Sequence, residues 1–189
     1  MKSLELDLEQ NALHSLGEAL EQYKAQTSTS WHYKCVVIFL VHFFELFLKL
    51  FIEKIDPQKL FKIKEPNKTI SIYGAIEVLK NDLSMPFPKE HWMQILKILE
   101  IRNDIMHYKF SLGKDNIDEL MGTLILACRE YNQEYNIFDF EACIDPDDWL
   151  MLIKLSDDHK LKLNAALKEA KAHQDGTWDS DVDQDFDFD

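Results

Sequence analysis

The chain has 189 residues, 46% of them hydrophobic and 12% aromatic, enough for one domain with a sizeable core and short for two. Only 5 Gly and 5 Pro are present, which favours long helices with short connections over a turn-rich β-sandwich. The formal charge of −13 argues against loose, charge-driven binding of nucleic acid, although the aspartates of residues 174–189, unopposed by any Lys or Arg, carry more than half of it.

Met1 to Glu9 carries Lys2, Glu5, Asp7 and Glu9 and has no apolar stretch, so no secretory signal is expected. Leu8, Ala12, Leu16, Ala19, Leu20 and Tyr23 share one helical stripe and predict a first amphipathic helix from Leu4 to Lys24. Thr27 to Ser30 breaks it with N-cap residues. Trp31 to Ile55 is apolar nearly all round and predicts a helix at the centre of a bundle or across a subunit interface, ended by Asp56-Pro57. Within it, Val36 to Ile52 is dense enough to resemble a membrane span. His42, Glu45 and Lys49 near its middle are costly in a bilayer, and Glu45 and Lys49 are spaced for a helical ion pair. The expectation is a buried helix of a soluble, cytoplasmic protein with no membrane partner.

Residues 54–68 form a connection holding Lys54, Lys59, Lys62, Lys64 and Lys68 against Asp56 and Glu65. It reads either as a solvated loop or as a local phosphate-binding patch. Ile72, Ala75, Ile76 and Leu79 predict a short helix over Ser71 to Asn81, and Met85 to Pro88 an extended break. A helix then runs from about Lys89 to Met106 or Tyr108, with Pro88 near its start. Past the turn at Gly113, Asp115 or Asn116 can cap a helix to about Tyr135, its buried stripe including Ile117, Leu120, Leu124 and Cys128. Asn136 to Asp145 reads as irregular, anchored by Ile137, Phe138 and Phe140. Asp145-Pro146 signals a helix start, and Ser156-Asp157-Asp158 repeats the signal before a last helix to about His173.

The organisation predicted is an all-α bundle of about five to seven helices over residues 1–173, with a core at 31–135 and a helical extension at 136–173. The acidic tail, 174–189, has a composition typical of disorder. Its Phe186 and Phe188 could dock on a partner or on the domain's own basic patch; otherwise the tail only solubilises. Cys35, Cys128 and Cys143 are far apart and form no CxxC or Cys/His ligand spacing, so neither a disulfide framework nor a metal centre is expected. The remaining histidines form no metal-ligand pattern, and Gly-rich phosphate loops and GxSxG elbows are absent from the sequence.

One segment interrupts an apolar helix face with polar groups. At 100° per residue, Trp92, Ile95, Leu96, Leu99 and Met106 share a face; Asn103 falls within it, and Arg102 and His107 fall to either side, about 140° apart. A buried Asn needs hydrogen bonds and an Arg there needs an anion or a carboxylate. A purely structural reading pairs Arg102 with Glu45 or Glu100 and leaves Asn103 and His107 as helix staples.

Arg102-Asn103-Asp104-Ile105-Met106-His107 resembles the R-x(4–6)-H motif of the HEPN superfamily in its RN-xxx-H form. Its setting is similar too, with apolar Ile95 to Ile101 leading in, Tyr108 directly after, and an upstream helix reading Phe44-Glu45-Leu46-Phe47-Leu48-Lys49. The resemblance spans about residues 31–135. It implies a helical bundle of four or five helices that commonly dimerises, and a metal-independent, cofactor-free endoribonuclease of toxin–antitoxin or phage-defence systems. It also implies roles: His107 moving a proton, Arg102 clamping the scissile phosphate, Asn103 positioning them, and Tyr108 and Glu45 in support. Attack by the ribose 2′-hydroxyl would leave a 2′,3′-cyclic phosphate. Lys59, Lys62, Lys64, Lys68 and Lys109 are then candidates for holding RNA, and an antitoxin or defence protein a candidate partner. Some relatives carry R-x(4)-H-x-Y, whose Tyr is modified by the antitoxin; here position 109 is Lys, which sets this chain apart. Other members keep the fold as a non-catalytic dimerisation or protein-binding module, which is the alternative function.

Overall fold

A computed structural model describes residues 7–25, 29–62, 65–82, 89–107 and 112–177. Its axis is the apolar helix α2, Ser30–Ile55, entered through Thr29, whose backbone N–H donates to His32 Nδ1 at 3.2 Å. Burial of Phe43, Phe44, Phe47 and Phe51 on this one helix explains its sequence, since each fully buried aromatic contributes about 1.5–3 kcal/mol. α1, Leu8–Lys24, capped by the Asp7 carboxylate accepting from Gln10 N at 2.8 Å, lies along α2 through Ala12, Leu16, Ala19 and Leu20. α2 is long and apolar enough to cross a membrane, yet 67% of its most apolar window is buried inside the bundle. Lys49, buried on this helix, takes the predicted ion pair with Glu45 at 2.6 Å and donates to Thr69 Oγ1 at 3.1 Å.

After α2 come a 3₁₀ turn at Pro57–Leu60 and a small antiparallel hairpin of β1, Phe61–Lys62, and β2, Glu65–Thr69. Sequence reading leaves this stretch as a lysine-rich loop; its side chains give no alternation long enough to mark strands of two and five residues. α3, Ile72–Glu77, is capped by Ser71 and runs into a π-helical turn, Val78–Asp82. α4, Lys89–His107, packs on α2 and on α5, Lys114–Tyr135. Gly113 is the N-cap of α5, and Asn116 serves it by accepting from Gly113 N at 3.1 Å.

The short α6, Phe140–Cys143, lies where an irregular segment was expected, and α7 runs unbroken from Pro146 to Thr177. Ser156 and Asp157 therefore do not start a separate helix. The Ser156 hydroxyl donates back to Ile153 O at 2.8 Å, while Arg129 of α5 donates to Ser156 Oγ and to Asp157 Oδ1 at 2.7 Å. Polar residues that signal an N-cap are used here as acceptors in mid-helix. α5 and α7 run antiparallel, Gly122 facing Leu155 and His159 while Arg129, two turns further along α5, donates to Ile153 O at 3.4 Å. The order of elements is an all-α bundle of seven α-helices among the described residues.

An aromatic column ties the C-terminal extension to the core. Phe47 stacks on Phe140 at 6.1 Å, and Phe140 stacks on Trp149 at 5.0 Å with planes 10° apart. Phe138 and Phe140 are buried, as their apolar character predicts.

Candidate functional site at the end of the fourth helix

α4 buries Trp92, Ile95 and Leu99 on one side and Ile98 and Ile105 on the other. Its last turn passes beyond the core, so Met106, expected on the packed face, is 53% exposed. Arg102 and Asn103 sit at this transition, each half-buried, and His107 is the exposed final residue of the helix.

Arg102 Nη1 donates to Asn103 Oδ1 at 3.2 Å, and Asn103 Nδ2 donates to Tyr73 Oη at 3.3 Å. The chain of three thus runs from α4 to α3 and fixes the Asn103 amide from both ends. Neither of the carboxylates suggested for Arg102 takes it: Glu45 pairs with Lys49, and among the described residues no carboxylate lies within ion-pair distance of the guanidinium. A half-buried guanidinium with one of five N–H donors used on an amide retains a fork for an external anion. His107 is exposed and has no hydrogen bond or ion pair among the described residues.

The structure joins Arg102 to Asn103 and does not join either to His107. Glu45 belongs to the Lys49–Thr69 cluster instead. Of the lysines, Lys59 is half-buried and Lys68 exposed, both engaged with other groups, and Lys62 lies on β1. Tyr108, Lys64 and Lys109 lie outside the described residues, as does the tail from 178 onward. Tyr73 is the member sequence reading misses. It stands off the Ile72–Ala75–Ile76 stripe that marks α3, and nothing in its spacing connects it to Asn103, 30 positions away.

No group of three or more His, Cys, Asp or Glu side chains among the described residues is arranged to hold a metal ion. Burial pushes the Cys128 thiol well above its ordinary value, so it is a core residue rather than a nucleophile. No family model, curated protein or solved structure matches this chain.

Proposed function

We propose that the chain is a metal-independent endoribonuclease of the HEPN type, a toxin or defence effector of the cytoplasm that acts as a homodimer. The observation carrying this reading is the Arg102–Asn103–Tyr73 chain: a guanidinium oriented by hydrogen bonds yet, among the described residues, not neutralised by a carboxylate, and five positions from an exposed imidazole. The 2′-hydroxyl oxygen attacks the adjacent phosphorus, the bond to the 5′-oxygen breaks, and one proton leaves the nucleophile while another reaches the leaving oxygen. An imidazole at His107 suits one of these transfers, because a ring nitrogen can take up or hand over a proton. Arg102 offsets the charge that builds on the non-bridging oxygens. Asn103 and Tyr73 hold the guanidinium in place. Lys59, Lys62, Lys64, Lys68 and Lys109 supply the positive surface for RNA, and an antitoxin or another defence protein is the partner that restrains the activity.

The test is to incubate the protein with end-labelled RNA in EDTA and to analyse the new termini. Cleavage with 2′,3′-cyclic phosphate ends, abolished by Arg102→Ala and by His107→Ala in folded protein, is the expected result. RNA left intact refutes the reading. A second reading, a non-catalytic dimerisation or protein-binding module, is favoured by one observation: on a single straight helix Arg102 and His107 diverge by about 140°. Intact RNA together with a stable dimer and partner capture would establish it.

A further inference from the structure

A cavity of about 340 Å³ opens between α4 and α5, and it contains none of the residues assigned above. Ile98, Ile101, Leu112 and Leu120 give it aliphatic walls, while its polar lining comes from Gln94 and Lys97 on α4 and Asn116, Glu119 and Thr123 on α5. Its size is at the low end of small-molecule sites.

Hydrogen bonds tie several of these polar groups to the walls. The Thr123 hydroxyl donates to Glu119 O at 2.8 Å and lies 3.3 Å from His159 Nε2. His159 Nε2 also lies 3.1 Å from Gln94 Oε1, a contact that the Nε2–H tautomer turns into a hydrogen bond. With its oxygen facing His159, Gln94 keeps two N–H donors for a ligand. Asn116 is fixed likewise, its Oδ1 accepting from Gly113 N at 3.1 Å. Lys97 adds a third donor, and Glu119 provides the carboxylate acceptor. Lys97 and Glu119 line the same cavity with opposite charge, yet neither forms an ion pair among the described residues.

A flat molecule bridging these groups needs acceptors along one edge, adjacent N–H donors on another, and two apolar faces. We propose that the cavity is a guanine-binding pocket. The O6 and N7 acceptors of the base would meet Gln94, Asn116 or Lys97, its N1–H and 2-amino donors would meet the Glu119 carboxylate, and its faces would lie against the aliphatic walls. Adenine and uracil each lack the adjacent pair of N–H donors that a carboxylate takes at both oxygens. Ile98 precedes Arg102 by one helical turn, about 6 Å along the axis. A base held there would stand about one helical turn from Arg102. The inference rests on the ribonuclease reading for its biological meaning and selects a guanine next to the cleaved bond.

The experiment is calorimetric titration of the full chain with GMP, AMP and UMP, followed by the same titrations on Glu119→Ala and Gln94→Ala. The expected result is a preference for GMP of roughly tenfold or more over both other nucleotides, lost in Glu119→Ala with the far-UV circular dichroism unchanged. Equal affinity for the three nucleotides, no binding of any, or a guanine preference that survives Glu119→Ala would overturn it. Mapping of cleavage sites separates this inference from the one beneath it. Cleavage without base preference by a protein that ignores GMP sinks the pocket and leaves the nuclease, whereas selective GMP binding without cleavage does the reverse.

Discussion

At Gly122 the backbone of α5 lies directly against α7, and Gly122→Ala tests how tightly the two are docked. A Cβ built there lies 2.6 Å from Leu155 O and 2.9 Å from His159 Cβ. Neither atom can rotate away, because one is backbone and the other is fixed to it. Restoring normal separations requires α7 to retreat by roughly 0.5–1 Å over a turn. That retreat strains the His159 bonds to Thr123 and Gln94 and the Arg129 bonds to Ser156 and Asp157. Overpacking costs about 1–3 kcal/mol and each weakened bond adds up to about 1 kcal/mol, whereas alanine's helix propensity returns about 1 kcal/mol. The net expectation is a loss of about 1–3 kcal/mol, or a fall in Tm of roughly 3–10 °C for a domain of this size. Gly17 is the internal control. It is an exposed helical glycine, and a Cβ added there would have nothing within 4 Å, so Gly17→Ala should stabilise by up to about 1 kcal/mol. Thermal and urea denaturation followed by circular dichroism would measure both. If Gly122→Ala proves as stable as the parent, the close α5–α7 contact is refuted.

Three other outcomes follow from single groups. Burial pushes the His159 imidazole below its ordinary 6.5, with Lys162 acting the same way and Glu119 opposing. The folded state then binds fewer protons than the unfolded one, so this contribution is present above pH 6.5 and fades as pH falls through the lowered value; His159→Gln should flatten stability–pH curves there. Trp149 Nε1 is buried without a hydrogen-bond partner among the described residues, so Trp149→Phe removes an unsatisfied donor while keeping the stack on Phe140, and denaturation midpoints should move by less than about 1 kcal/mol equivalent. Tyr73→Phe frees the Asn103 amide; under the nuclease reading it should lower the turnover rate roughly tenfold with RNA affinity little changed, and an unchanged rate would remove Tyr73 from the site.

Helices with a clean apolar stripe were legible in the sequence because burial follows the 3.6-residue period: α1 buries Ala12, Leu16, Ala19 and Leu20, four of the six positions named for it. The Glu45–Lys49 pair was legible for the same reason, since i,i+4 spacing is a local rule. Features set by long-range contacts were not. Ser156 and Asp157 look like a cap until Arg129, 27 and 28 positions away, is seen to claim them. Strands β1 and β2 are too short to show a pattern, and the bond from Lys49 on α2 to Thr69 joins positions 20 apart. At the site, the sequence marked Arg102 and Asn103 as polar intruders, but Tyr73, Gln94, Asn116 and Glu119 acquire meaning only once α3, α4 and α5 are placed side by side.

Under the nuclease reading, the divergence of Arg102 and His107 decides how one phosphate could meet both groups. One α4 cannot turn both side chains toward one phosphate without unwinding its last turn, whereas a two-fold dimer can offer the Arg102 of one copy and the His107 of the other, and does so twice. Mixing inactive Arg102→Ala with inactive His107→Ala subunits distinguishes the two cases. In a shared arrangement, each heterodimer has one site with both groups lost and one with both intact. Random exchange makes half the dimers mixed, so activity should return to about a quarter of the parent's. If each chain's site is self-contained, every site in the mixture still lacks one group and nothing returns. Recovery near a quarter would place the reacting phosphate across the dimer axis, and its absence would require His107 to swing round on a frayed helix end.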